Sequence, residues 1–200
     1  MSNKKKPVSA AELMARLNSD PEFVAKRARE EAERQARAAE WQRAEAPLVE
    51  ELRAAGFEVD SAWDLVNTSA PYPDALPILV DHLQRSYPSR VREGIARALA
   101  VPESKFAWDV LTRLYRNEGE RDAKDGLAVA ISVVADDEVI DEMLGLVRDE
   151  RHGPSRILLL SALGRSEDPR TRAALMELGT DPELKKEIQV ILRRLKKRKR

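Results

Sequence analysis

The chain reads as all-α, a series of helix pairs led by a charged helical arm, and three observations predict it. The first is a 32-residue repeat through residues 74–192: Leu79, Leu111, Met143 and Leu175 fall in one line, and His82, Leu114, Leu146 and Leu178 in another. The second is a companion series: Val91, Ala123, Ser155; Ile95, Leu127, Leu159; Ala98, Ala130, Ala162; Leu99, Ile131, Leu163. A last step of 29 carries it to Leu184, Ile188, Ile191 and Leu192. Its positions recur at i, i+4, i+7 and i+8, one face of a helix. The third is a turn signal inside each repeat: Tyr87-Pro88-Ser89, Asn117-Glu118-Gly119, His152-Gly153-Pro154 and Gly179-Thr180-Asp181-Pro182. Pro154 and Pro182 sit where a first helical residue is expected, a position that tolerates the missing N–H. One pair of this size leaves its apolar face in water. Stacked neighbours bury it, so a period in this range predicts a solenoid.

Residues 1–46 read as a tail and arm. Residues 1–8 are expected to be disordered. Ser9 and Glu12 have the spacing of a capping box, opening a short helix with Leu13, Met14 and Leu17 that stops near Asn18-Ser19. Asp20-Pro21 caps and opens the next helix. From there to about residue 45 the chain is alanine, arginine and glutamate, with only Phe23, Val24 and Trp41 as large apolar residues. Glu30 with Arg34 and Glu33 with Arg37 each support it by about 0.2–0.5 kcal/mol. A solvated helix projecting from the array is expected, serving as a spacer or as a dimerising or partner-binding element.

Residues 47–192 form the repeat body, about four to five helix pairs. Its first unit, residues 47–70, is degenerate: Leu48, Val49 and Leu52 on one helix, Gly56 ending it, Asp60 or Ser61 capping a second with Trp63, Leu65 and Val66. Atypical end repeats are expected because one face meets water. Residues 67–73 are a proline-containing loop, and residues 193–200 a basic C-terminal tail.

The paired segments 75–83 with 91–100, 107–115 with 123–134, 139–147 with 155–164, and 171–179 with 184–195 resemble the HEAT-repeat family, in the short form found in many bacterial proteins. The resemblance covers roughly residues 46–195 and implies a right-handed α-α superhelix. Such repeats mainly hold partners and rarely catalyse. It therefore implies a non-catalytic scaffold or adaptor for a protein partner, without a cofactor.

Composition limits the chemistry. Hydrophobic residues make up 42% of the chain, and cysteine is absent, which removes disulfides, thiol nucleophiles and cysteine metal sites. No apolar run reaches the ~18 residues of a membrane span. Lys4, Lys5 and Lys6 precede no apolar core, so a signal peptide is not expected and a cytoplasmic location is. Net charge is zero but uneven. Residues 1–46 carry ten basic and eight acidic side chains, residues 47–184 carry 16 and 26, and residues 185–200 carry nine and one. The body is acidic and the C-terminal end basic.

One cation recurs at a single position of successive second helices: Arg92, Lys124, Arg156 and Lys185. These are the candidate partner-binding residues, with Arg90, Arg97 and Arg121 nearby. Second helices resemble those lining the concave side of HEAT-like folds, where this ladder would border a groove. The competing reading is structural: long cationic stems lie along a core edge with their charge in water, beside Glu93 and Asp125. An alternative function is a nucleic-acid-associated module using the ladder and the 193–200 tail. A further one is an enzyme resembling repeat-built DNA glycosylases, although Trp108 falls at a core position shared with Leu76 and Ile140. No catalytic set is evident. His82 occupies an apolar core position, and His152 lies in a turn. The acids Asp136, Asp137, Glu138, Asp141 and Glu142 suit a helix start better than a metal.

Overall fold

The computed structural model describes residues 9–198. The expected disorder of residues 1–8 and the last two residues of the basic tail lie outside them. Among the described residues the chain is all-helical, with eleven α-helices and no strand.

Residues up to Arg43 form one compact unit and those from Ala44 a second. The first unit holds α1 (Ala10–Asn18) and the opening of α2 (Pro21–Ala54). The Ser9 hydroxyl accepts from the Glu12 N–H at 3.2 Å and the Glu12 carboxylate accepts from the Ser9 N–H at 3.0 Å, the reciprocal cap expected there. The Asp20 carboxylate accepts from the Glu22 N–H at 3.0 Å and starts α2. No residue of α1 or of α2 before Glu45 is buried. The alanine–arginine–glutamate run has no apolar stripe to hide, and it behaves accordingly.

The arm helix does not stop near residue 45. Helix α2 continues through Pro47 to Ala54, so the arm and the first helix of the degenerate unit are one element. Proline removes a single i→i−4 bond, the one owed to the Arg43 carbonyl. The good helix formers on both sides carry the helix past it. It ends at Gly56, whose φ of +94° suits glycine. There the Phe57 N–H donates to the Leu52 carbonyl and the Gly56 N–H to the Arg53 carbonyl, both at 3.0 Å, which closes the last turn.

The second unit continues with α3 (Ala62–Asn67), α4 (Leu76–Leu83), α5 (Ser89–Ala98), α6 (Trp108–Asn117), α7 (Arg121–Val134), α8 (Ile140–Arg148), α9 (Arg156–Arg165), α10 (Pro169–Leu178) and α11 (Lys185–Arg198). Helices α4 and α5, α6 and α7, α8 and α9, and α10 and α11 pack in pairs. The second members also run beside one another: α3 on α5, α5 on α7, α7 on α9 and α9 on α11. The lines read from the sequence become the core. Leu79, Leu111, Met143 and Leu175 are fully buried, as are Ile95, Leu127, Leu159, Leu99, Ile131 and Leu163. In the His82 line the burial is uneven, with Leu114 and Leu178 only half-buried. The described part of the basic tail, residues 193–198, is helical, since α11 runs to Arg198.

Neither turn proline opens an α-helix. Pro154 lies inside a 3-10 turn, Glu150–Ser155, ahead of α9. Pro182 lies in the turn before α11, where the Lys185 N–H donates to the Asp181 carbonyl at 2.9 Å.

A close approach fixes the α5–α7 seam. A Cβ at Gly126 would stand 2.8 Å from the Glu93 carbonyl oxygen and 3.0 Å from its Cα, backbone atoms that move only with the helix. A Cβ at Gly94 would meet the Trp63 ring at 2.7 Å. Alanine ordinarily improves an interior helical glycine by about 1 kcal/mol. At Gly126 the clash reverses the sign. Gly126→Ala is expected to cost about 1–3 kcal/mol, whereas Gly145→Ala on α8, where the added carbon meets nothing within 4 Å, is expected to stabilise. Urea denaturation of the two variants checks the opposite signs.

Candidate functional site

Three of the four ladder cations are tied into the second unit. Arg156 is 2% exposed. Its Nη1 pairs with Asp181 Oδ2 and its Nη2 with Glu183 Oε2, each at 2.9 Å. Its Nε donates to the Gly153 carbonyl at 3.1 Å. Arg92 pairs with the buried carboxylate of Glu118. The Lys124 ammonium donates to the Glu118 carbonyl at 3.0 Å and sits 5.1 Å from the centre of the Tyr115 ring. Burial lowers the pKa of Lys124, and the carboxylates of Glu118 and Asp149 oppose the shift. Lys185 alone of the four is exposed.

The acids follow a rule. Glu118, Asp149 and Asp181 lie 26, 25 and 25 residues after Arg92, Lys124 and Arg156, each in the turn of the next helix pair. Arg92 and Arg156 therefore each meet a carboxylate from the following repeat, while Lys124 is bonded to the Glu118 carbonyl in the turn of its own pair. The sequence carried the signal, because Asp149 and Asp181 are themselves 32 apart. A buried ion pair that loses one member leaves the other uncompensated. Arg156→Ala is expected to cost about 3–5 kcal/mol in denaturant unfolding. Arg121→Ala is expected to stay within about 0.5 kcal/mol, because the Arg121 side chain is 84% exposed and only approaches Asp125 at 3.8 Å.

Arg90 and Arg97 converge on one neighbouring acid, Glu93. Glu93 is buried and receives Arg90 Nη1 at 2.5 Å and Arg97 Nε at 2.8 Å. The Arg90 guanidinium lies 4.3 Å from the centre of the Trp63 ring and that of Arg97 at 6.0 Å. The half-buried Trp63 thus meets two cations across the α3–α5 seam.

Beside Arg97 the surface opens into a groove of about 540 Å³. One wall is α3, with Leu65 and Val66, and the loop after it, with Tyr72; the other is formed by Ala100, Val129 and Val133 from the α5 and α7 side. Arg97 and Glu103 bring charge to its rim. The Tyr72 hydroxyl donates to the Ala98 carbonyl at 2.9 Å and holds the loop against α5. An open, mostly apolar concavity with a few polar groups is the usual form of a binding site. Tyr72 and the valines were missed because a loop aromatic and two apolar residues on a repeat face carry no motif.

Neither histidine stands free. His82 is fully buried, its Nδ1 bonded to the Tyr87 hydroxyl at 2.7 Å and its Nε2 to a Glu51 carboxylate oxygen at 2.8 Å. His152 is buried against the Tyr115 ring at 4.6 Å, with Asp149 at 3.7 Å. The Tyr115 hydroxyl bonds the Ser155 hydroxyl at 2.7 Å, and burial pushes its pKa up to about 12. Burial, joined by the Lys124 charge, holds the His152 pKa below its ordinary 6.5. The unfolded chain therefore takes up that proton first. Stability is level above about pH 7 and declines as pH falls through 6.5 toward the depressed value. Thermal melts between pH 8 and pH 5 are expected to show this loss, and His152→Phe to flatten it.

Trp108 is buried and donates its indole N–H to Glu142 at 2.6 Å, in line with the buried Leu76 and Ile140. Lys105 binds Asp136 and Glu138, and Arg170 binds Asp141. Among the described residues no three His, Cys, Asp or Glu side chains come together as a metal site. No helix among them is long and apolar enough to cross a membrane. No family model, curated protein or solved structure matches the chain.

Proposed function

We propose that residues 47–192 form a HEAT-like α-solenoid of right-handed twist that works as a non-catalytic scaffold for a protein partner, with the partner seated in the groove beside Arg97. The observation that carries this reading is the groove itself: an open apolar trough of about 540 Å³ across the ends of α5 and α7, in a unit whose other large apolar side chains are mostly packed. Regular pairing of first and second helices supports the solenoid, since each second helix contacts the next. A partner segment with aliphatic or aromatic side chains fits such a trough. The rim charges of Arg97 and Glu103 orient its polar groups.

The ladder residues Arg92, Lys124 and Arg156 serve this function indirectly. Arg92 and Arg156 tie α5 and α9 to the turns of the helix pairs that follow them, and Lys124 ties α7 to the turn before it. Ala100→Glu with Val133→Glu places two charges in the trough at half-buried positions. Affinity capture from the native cell is expected to lose the retained partner with this variant while circular dichroism keeps the helical signal. Retention of the same partner by the double variant would remove the groove from the account.

A further inference from the structure

Helix α11 presents a cationic face that nothing else in the second unit matches. Lys185, Lys186, Arg193, Arg194, Lys196 and Lys197 are all exposed. At 100° per residue they fall within an arc of about 180°. Only Gln189 and Val190 share that arc, and no acid does. Among the described residues none of the six side chains forms an ion pair or hydrogen bond. Many cations elsewhere in the second unit are matched by acids: Arg92 by Glu118, Arg97 by Glu93, Arg148 by Glu177, Arg156 by Asp181 and Arg170 by Asp168.

Helix stability does not account for the stripe. Cations favour the C-terminal turn of a helix, which suits Lys196 and Lys197. Lys185 and Lys186 open the helix, where the same dipole opposes them. Arg193 with Lys196 and Lys197 adds like-charge repulsion at i,i+3 and i,i+4 spacing. A face built against its own helix points to an anionic ligand that neutralises it.

The other side of α11 decides which ligand. Leu184, Ile188 and Ile191 are buried in the fold. The apolar face that an interfacial helix inserts among lipid chains is therefore already used. Only Val190, 37% exposed, remains on the outer surface as an apolar residue. What is left is a cationic face about 18 Å long, at 1.5 Å rise per residue, with two charges at its start and four at its end. One strand of a duplex offers a phosphate about every 3.4 Å, so roughly five phosphates span that length. We propose that the outer face of α11 binds the phosphate backbone of duplex nucleic acid, without reading sequence. The surplus of acids over residues 47–184, 26 against 16 basic, repels phosphate and confines contact to this helix.

The site is separate from the groove, so either can fail alone. Fluorescence anisotropy with a labelled 20-base-pair duplex of mixed sequence, in 20 to 200 mM KCl, tests it on the full chain. The expected result is binding at low salt with a log–log salt slope of about −4 to −5, at ~0.9 per phosphate. The Arg193→Glu, Lys197→Glu double variant is expected to bind at least tenfold more weakly, with a slope smaller by about two. Its thermal midpoint should not change, because both side chains are exposed. Arg172→Glu, an exposed change on α10, and the groove variant Ala100→Glu with Val133→Glu are expected to bind like the parent. The proposal is overturned by no binding at 20 mM KCl, or by binding that survives the double reversal. It is also overturned by tighter retention on phosphatidylserine vesicles than on the duplex. Salt-sensitive self-association in place of duplex binding, seen by sedimentation, would assign the face to a second copy instead.

Discussion

The distance between α5 and α7 is set by a missing carbon. With hydrogen as its side chain, Gly126 lets its helix close onto the Glu93 backbone, 2.8 Å from where a Cβ would stand. Much follows from that contact. It brings the face of α7 that carries Val129 and Val133 alongside the end of α5, where Arg97 projects. The same shift up the chain, at Gly94, leaves room for the Trp63 ring against α5 and for Arg90 over that ring. The cation–ring contact sits on the α3–α5 seam, and buried Glu93 sits on the neighbouring α5–α7 seam. Residues on the seam are dry enough for Glu93 to need two guanidinium partners.

Charge pairing runs alongside this packing as a second kind of order. Two arginines at one helical position, Arg92 and Arg156, meet acids 25 to 27 residues further on, in the next repeat's turn. Arg156 is the most committed of them, with two carboxylates and a carbonyl around a side chain that water hardly reaches. Such pairs are weak sources of net stability but strong constraints on geometry, since any other arrangement leaves a charge unmatched in the interior. They tie α5 and α9 to the helix pairs that follow them.

Leu79, Leu111, Met143 and Leu175 were legible because period and burial are the same fact seen twice: a residue repeated every 32 positions meets a repeated environment. The cap at Ser9 and the stop at Gly56 were legible because local chemistry decides them. The continuity of α2 was not, because Pro47 carries a breaker signal that its neighbours outweigh. The ladder positions were visible as a row, but their engagement was hidden. Whether a cation faces water or an acid depends on a turn a full repeat away, and the turn around Glu118 is one residue out of phase with those at Asp149 and Asp181. The groove left no trace at all. It is a space between the loop holding Tyr72 and two helix ends, and vacant volume has no residue to mark it.

Most cross-helix bonds in the second unit join residues that are near in the chain. Arg113 reaches Gln84 across 29 residues, Arg148 reaches Glu177 across 29, and Tyr115 reaches Ser155 across 40. Loops of that size close readily, and a native state made from them has low contact order. On a ribosome each hairpin can meet its predecessor within a few seconds of emerging, at ~5–20 residues per second. The chain is thus suited to assembling from its N-terminal side while it is still being made, with no step that waits for the far end.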